Sequence, residues 1–404
     1  MCPAGRLAVQ PGAAEPQRGR KRVKKQHLYG LDLVRFGSAF IVLLFHLSTF
    51  SSIAPSHVTT PDERPFDWLG WVGTSGWVGV EVFFVISGFV IAASARNATA
   101  LTFLIKRAIR VFPALWVCSI IALGVTLAWG MAPAEALGAF LRSIILSPQG
   151  PYIDGVVWTL VLEAVFYVYI AGLILIGARL GRNLLDLGGL LLGSVSVLFI
   201  TAYIAADAMG LGITETLLRF PFKVALLWHG VFFALGMLIY KAARDRLSGM
   251  EYGFAAVFTV FCLFEIANNV LAGAGGFASE TYRITMAIGI WLAAMAVMLF
   301  SVFRSEVVAK AIGAEWVKKA GLMTYPLYLN HFTFGMCLTP WLAGYIQNEV
   351  LLLVAVMSII LASAWAIMTG PEIWLQKLSR KWFLNQEQSV AIPMPGKKTA
   401  ERTA

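Results

Sequence analysis

Residues 30–50 read GLDLVRFGSAFIVLLFHLSTF, an apolar run long enough to cross a membrane as a helix. Two ionisable side chains, Arg35 and His46, lie well inside it. Eleven positions at 100° per residue make about 1100°, or three turns plus roughly 20°, so both side chains share one helix face, roughly 16 Å apart along the axis. Charged groups inside a membrane are costly and usually face the bundle interior. This stretch therefore predicts a helical membrane bundle with a functional site inside it.

The composition of the whole chain agrees with that prediction. Of 404 residues, 58% are hydrophobic and 13% are charged, and the mean hydropathy is +0.74, whereas a soluble protein carries about 25% charged residues. The net charge of +10 comes largely from short basic clusters, which indicate membrane topology and do not predict a nucleic-acid partner. The four cysteines show no paired or metal-type spacing, so neither a disulfide framework nor a metal is expected.

Hydropathy and the positive-inside rule together predict an all-α polytopic membrane protein with about ten transmembrane helices and both termini in the cytoplasm. Residues 1–27 are predicted to form a basic, disordered cytoplasmic tail, residues 28–372 one membrane domain, and residues 373–404 a cytoplasmic C-terminal tail. The predicted spans are residues 30–50, 77–95, 112–131, 156–178, 186–208, 223–241, 252–273, 283–303, 320–345 and 349–369.

Two further segments have helical spacing of apolar residues on one face only. Residues 101–112 place basic side chains opposite the apolar face and are predicted to lie on the inner membrane surface, separate from the third span. Residues 133–145, which begin at a proline, are predicted to form a second amphipathic helix on the outer side.

Three ionisable residues are predicted to lie at similar depths near the outer ends of three spans: His46, Glu81 and Glu163. A histidine beside a carboxylate keeps a defined tautomer, which a general base needs. The predicted catalytic set is therefore these three residues, with Glu81 and Glu163 both open as the partner of His46. The alternative is a set of satisfied hydrogen bonds between helices.

The ionisable side chains predicted at the inner face of the membrane include three arginines. Arg107 and Arg110 lie one turn apart on residues 101–112, and Arg35 lies near the inner end of the first span. Three guanidinium groups suit a phosphate-bearing ligand, because arginine binds phosphate through two parallel hydrogen bonds. The alternative for Arg107 and Arg110 is contact with anionic lipid headgroups.

Four further side chains are predicted to line a pocket near these residues, with no chemical role assigned: Ser87, Trp158, Tyr325 and His331. Close helix packing is the alternative for Ser87, which precedes a glycine. Pro326 is expected to loosen the helix that carries His331. His229, which stands alone in the sequence, is interpreted as structural.

Taken in order, five motifs resemble the membrane-bound acyltransferase family 3, the family of O-antigen and exopolysaccharide O-acetylases. They are GLDLVRFGSAFIVLLFH (residues 30–46), GWVGVEVFFVISGF (76–89), KRAIRVFPALW (106–116), VVWTLVLEAVFY (156–167) and YPLYLNHF (325–332). The sequence departs from the family pattern at Thr159 and Pro326, which stand where serine is usual, and at Ala164, where many members have a second acidic residue. The extra hydrolase-like domain of many members has no counterpart in this chain.

The resemblance implies an O-acyltransferase of the bacterial inner membrane that takes an acyl group, acetyl in the first place, from cytoplasmic acyl-CoA. The acceptor would be a hydroxyl of a cell-envelope glycan or lipid-linked saccharide. Arg35, Arg107 and Arg110 would bind the CoA phosphates, while His46 would act as general base or be acylated transiently. The open alternatives are a transporter or flippase of a sugar-linked lipid or small anion, and an acyltransferase that acts on a small hydrophobic metabolite.

Overall fold

The computed structural model describes residues 28–50, 66–272, 279–304, 307 and 315–383. The predicted N-terminal tail, residues 1–27, and residues 384–404 of the predicted C-terminal tail lie outside this part of the chain.

The described residues form a helical bundle. The longer helices are α1 (Tyr29–Phe50), α2 (Gly79–Ala95), α3 (Ala100–Ala128), α4 (Pro133–Ile144), α5 (Val157–Arg179), α6 (Leu185–Ala208), α7 (Gly230–Arg244), α8 (Gly249–Ala272), α9 (Glu280–Phe303), α10 (Glu315–Asn330), α11 (Phe332–Ala343), α12 (Glu349–Ile367) and α13 (Ile373–Phe383). Short helical turns cover Asp67–Leu69, Gly70–Gly73, Gly76–Val78, Thr214–Leu217 and Phe220–Val224, and a π-helical turn covers Met368–Glu372.

Eight helices in the described residues are long and apolar enough to cross a membrane. They correspond to predicted spans one to five, seven, eight and ten. The sixth predicted span is the 15-residue helix α7, and the ninth is divided between α10 and α11. The prediction of an all-α polytopic membrane protein is thereby confirmed.

Polar side chains at the helix starts show why the spans begin where they do. The Thr99 hydroxyl accepts a hydrogen bond from the Thr102 N–H at 3.2 Å and starts α3. The Asn348 side chain accepts one from the Leu351 N–H at 3.0 Å and starts α12. Each cap satisfies a backbone donor that the first helical turn leaves without a partner.

The predicted separation of residues 101–112 from the third span is wrong. Helix α3 runs without a break over 29 residues and includes Pro113. Neighbouring helices can compensate for the hydrogen bond that a proline removes inside a membrane bundle, so the proline does not end this helix. The basic face of residues 101–112 is therefore part of a membrane helix. The predicted amphipathic segment at residues 133–145 is confirmed as α4.

The region predicted as a C-terminal tail begins with further helix. The π-helical turn, which contains Pro371, connects α12 to the amphipathic helix α13. Both elements pack against α3. This arrangement brings side chains of α13, which sequence patterning left outside the membrane domain, to the basic end of α3.

Glycines allow α2 and α7 to pack with their backbones in contact. A Cβ atom at Gly88 would collide with the carbonyl oxygen of Phe233, and one at Gly236 would collide with that of Val85. Small residues of this kind permit close helix approach in membranes. Helix α1 in turn packs against α2, α9, α10 and α11, so the face that carries Arg35 and His46 lies inside the bundle.

Candidate active site

A cavity of about 590 Å³ opens among α1, α2, α3, α5, α10 and α13. Its wall carries five basic side chains: Arg35, Lys106, Arg107, Arg110 and Arg380. The three arginines predicted as one group thus line the same cavity, together with Ser87 and Tyr325. Such a concentration of positive charge in a partly apolar pocket suits an anionic ligand.

Arg110 is held by two side chains. Its Nη1 donates to Glu372 Oε1 at 3.0 Å, and its guanidinium lies 5.3 Å from the centre of the Tyr325 ring. The Tyr325 hydroxyl donates to the Val111 carbonyl at 3.0 Å, which fixes that ring. Arg110 is therefore positioned before any ligand arrives.

Arg107 differs from Arg110 in having an unsatisfied donor. Its Nε atom is buried and has no hydrogen-bond partner among the described residues. The guanidinium lies 5.9 Å from the centre of the Phe103 ring, which orients it without hydrogen bonding. A buried donor without an acceptor is costly, so Arg107 is suited to donate to an anionic ligand in the cavity.

Glu163 lies in the same cavity as the arginines. The Ser87 hydroxyl donates to Glu163 Oε1 at 2.9 Å, and the Glu163 carboxylate interacts electrostatically with Arg35. Ser87 thus has a polar role besides the close packing at Gly88. The predicted cluster of His46, Glu81 and Glu163 does not form in the described residues, because Glu163 faces Arg35 and Glu81 belongs to a different group.

His46 pairs with a second histidine. Its Nδ1 lies 2.8 Å from the Nε2 atom of His331, and its ring also contacts Phe332 at 4.6 Å between ring centres. His331 is almost fully buried, with 1% of its surface exposed. The two carboxylates expected beside His46 have other partners, and in the described residues an imidazole takes the place predicted for a carboxylate.

Hydrogen bonding specifies the tautomers of the pair. The Nδ1 atom of His331 lies 2.8 Å from the Tyr328 carbonyl oxygen and 3.2 Å from that of Leu327. A carbonyl only accepts, so Nδ1 of His331 carries the proton and its Nε2 accepts in the neutral ring. His46 Nδ1 then donates to that atom, and Nε2 is the basic nitrogen of this tautomer. The His46 ring also hydrogen-bonds to the Val42 backbone.

A break between α10 and α11 places His331. The His331 ring binds carbonyls of the last turn of α10, and the Asp154 carboxylate accepts from the Thr333 N–H at 3.0 Å in the first turn of α11. Asp154 also accepts from the Val156 N–H at 3.0 Å, beside the start of α5. Burial raises the pKa of Asp154 to about 6, and the hydrogen bonds to Val156 and Thr333 oppose the rise.

Tyr328 separates the cavity from the histidine pair. It lines the cavity, and its hydroxyl lies 2.9 Å from the Thr159 Oγ1. Its ring centre is 5.7 Å from that of His331. The histidine pair therefore lies one layer of side chains beyond the cavity wall.

Glu81 lies in a third place, with His229 and Glu265. Trp158, predicted for the pocket, has its ring centre 5.8 Å from that of His229 and lines a separate cavity. His229, interpreted from the sequence as structural, contacts two carboxylates, and Glu265 is absent from the predicted site residues. The rule that singled out Glu81, a carboxylate within an apolar run, applies equally to Glu265 in FCLFEIANN, residues 261–269.

A profile of the family described as "Acyltransferase domain" matches residues 28–369. A protein named "Exopolysaccharide production protein ExoZ" from Rhizobium meliloti (strain 1021) is 34% identical over 110 residues, which cover 24% of this chain and 34% of the relative. An "O-acetyl transferase" from Shigella phage Sf6 is 35% identical over 91 residues, 22% of this chain and 24% of the relative. The matched segments thus span about a third and a quarter of these relatives. No solved structure matches the chain.

Proposed function

Since this chain belongs to the acyltransferase domain family, we propose that it is an integral membrane O-acyltransferase with acyl-CoA as donor. Acetyl is the acyl group that we expect to be transferred. The acceptor is a hydroxyl of a cell-envelope glycan or lipid-linked saccharide, and the protein resides in the bacterial cytoplasmic membrane. The observation that carries the proposal is the position of a histidine pair one side-chain layer beyond a cationic cavity.

The donor occupies the cationic cavity. Arg107 and Arg35 bind its phosphates, with Arg110 held in place by Glu372. The cavity volume of about 590 Å³ falls in the usual range for small-molecule and cofactor sites, roughly 300–1,000 Å³. The acyl end of the donor then points toward Tyr328 and the histidine pair.

His46 acts on the acceptor. Its Nε2 removes the proton of the acceptor hydroxyl as the oxygen attacks the thioester carbonyl carbon. The carbon–sulfur bond breaks as the ester forms, and the proton on His46 passes to the departing thiolate. His331, which donates from Nδ1 to backbone carbonyls, holds His46 in the tautomer with a basic Nε2. A general base of this kind contributes about 10²–10⁴-fold to the rate.

The names of the two relatives support the acceptor class. One is named for exopolysaccharide production and the other as an O-acetyl transferase. A polysaccharide offers hydroxyl groups, and an O-acetyl transferase places acetyl on a hydroxyl oxygen, so the two names together support a saccharide hydroxyl as the acceptor.

The decisive experiment measures transfer with purified protein in detergent. Radiolabelled acetyl-CoA is supplied with lipid-linked saccharides extracted from the host, and the labelled product is identified by mass spectrometry. The wild type should transfer label, and the His46→Ala variant should lose at least about 100-fold of the rate at unchanged expression and monodispersity. Saccharide movement in vesicles without donor, with no label transferred, would instead favour a transporter.

A further inference from the structure

Three ionisable side chains from three helices meet away from the cationic cavity. Glu81 belongs to α2, His229 immediately precedes α7, and Glu265 belongs to α8. Each has at most 2% of its surface exposed. The Nδ1 atom of His229 lies 3.4 Å from Glu265 Oε1 and 3.7 Å from Glu81 Oε2.

Hydrogen bonding leaves this group unsatisfied. Both ring nitrogens of His229 and the Oε2 atoms of Glu81 and Glu265 are buried and have no hydrogen-bond partner among the described residues. A direct hydrogen bond would bring nitrogen and oxygen to about 2.9 Å. Four unsatisfied buried polar atoms in a membrane bundle are costly, so the group requires an occupant or a shared proton.

The separations suit a metal ion. Ligands about 2.0–2.1 Å from a tetrahedral centre lie about 3.3–3.4 Å from each other, and one ligand atom from each of these residues lies within 4.8 Å of the others. One imidazole and two carboxylates are the donor set of borderline divalent ions such as Zn²⁺. We propose that Glu81, His229 and Glu265 bind one such ion, with Zn²⁺ as the expected metal.

The surroundings complete the site. The Asn269 Nδ2 donates to Glu265 Oε1 at 2.7 Å and orients this carboxylate, as outer-shell partners of metal ligands do. Trp158, whose ring centre lies 5.8 Å from that of His229, also lines a cavity of about 470 Å³ together with Lys223. Two carboxylates would balance the charge of a divalent ion.

Charged and titratable neighbours on the packed elements are few. Lys223 interacts electrostatically with all three residues, and the buried Cys262 lies one turn before Glu265 on α8. The ion would join α2, α7 and α8 and so stabilise the bundle. Its binding is independent of the proposed acyl transfer, which takes place at α1, α3 and α10.

The test is metal analysis of the purified full chain, prepared with a tag that contains no histidine. After dialysis against Zn²⁺ and removal of free ion, the wild type should retain about one Zn²⁺ per chain, and Glu265→Gln and His229→Gln at least tenfold less. Glu251→Gln is the matched control, because it removes a buried carboxylate of the same helix that pairs with Lys241 instead. Added Zn²⁺ should raise the Tm of the wild type and of Glu251→Gln only.

A second measurement does not depend on any variant. Co²⁺ in place of Zn²⁺ should give the wild type the intense visible absorption of a tetrahedral site. A wild type with less than about a tenth of an ion per chain, no Co²⁺ spectrum and no Zn²⁺-dependent Tm would overturn the proposal. Full metal retention by Glu265→Gln would also overturn it, since the ion would then lie elsewhere.

Discussion

The Nδ1 atom of His46 lies 2.8 Å from the Nε2 atom of His331, which joins α1 to the break between α10 and α11. Backbone carbonyls of α10 accept a hydrogen bond from the other ring nitrogen of His331, Nδ1. A carbonyl–histidine–histidine series performs the orienting task that a carboxylate performs in many general-base sites. Unlike a carboxylate, this series is uncharged, which suits a membrane interior.

The first prediction concerns His331. Its replacement by alanine removes the acceptor that holds Nδ1–H of His46 and lets the His46 ring rotate or change tautomer. We expect kcat to fall about 10- to 100-fold, with the KM for acyl-CoA within about threefold of the wild-type value. His331→Gln, which can offer an acceptor at a similar position, should recover part of the loss. A rise in the KM for acyl-CoA as large as the fall in kcat would contradict a positioning role.

A second prediction separates donor binding from chemistry. Arg107→Ala removes a buried guanidinium, and hydrogen bonds to charged groups are worth about 1.5–3 kcal/mol. The KM for acyl-CoA should therefore rise about 10- to 100-fold while kcat changes little. Arg179→Ala is the matched control, because Arg179 is an exposed arginine in the last turn of α5. A similar effect of both substitutions would indicate a general charge effect.

The third prediction concerns Asp154 and pH. Its pKa of about 6 in the folded protein exceeds its usual value of 3.8, so folding favours the protonated form. This group's contribution to stability is fully present below about pH 3.8 and is lost as the pH rises through 6, up to about 3 kcal/mol. Tm measured at pH 4.5 and 7.5 should fall more in the wild type than in Asp154→Asn. An equal change of Tm with pH in the two proteins would contradict the proposed role of Asp154 in this pH dependence.

The fourth prediction concerns the contact between α2 and α7. Gly88→Ala and Gly236→Ala each place a methyl group against backbone carbonyl oxygen, which cannot yield as a side chain can. Each should destabilise the protein by at least about 1–3 kcal/mol, seen as a lower Tm in detergent. Gly37→Ala is the control, since no atom beyond its chain neighbours and its own helix backbone lies within 4 Å of the added Cβ, and it should leave Tm unchanged or slightly higher.

Much of the fold was predictable because a membrane imposes simple length and composition rules. Apolar runs of about 20 residues cross as helices, and eight of the ten predicted spans correspond to long apolar helices of the described residues. The predicted separation of residues 101–112 from the third span is wrong, because α3 is continuous from Ala100 to Ala128. Helical structure also continues after Glu372 as α13.

Among the site residues, those on one face of one helix were the most predictable. The arginines of α3 share the cavity with Arg35, as spacing and charge suggested. Partners on different helices were not predictable, because depth along a helix axis gives no information on the rotation of that helix within the bundle. Glu163 and His46 differ in their surroundings for that reason.

The sequence by itself determined the helical membrane class, the shared face of Arg35 and His46, and the concentration of basic side chains at one end of α3. These follow from hydropathy, helical periodicity and charge, which are local properties. Only the tertiary structure decided that His46 meets His331 and that Glu81 meets His229 and Glu265. Such pairings depend on which helix faces pack together, and that is set by contacts between residues far apart in the chain.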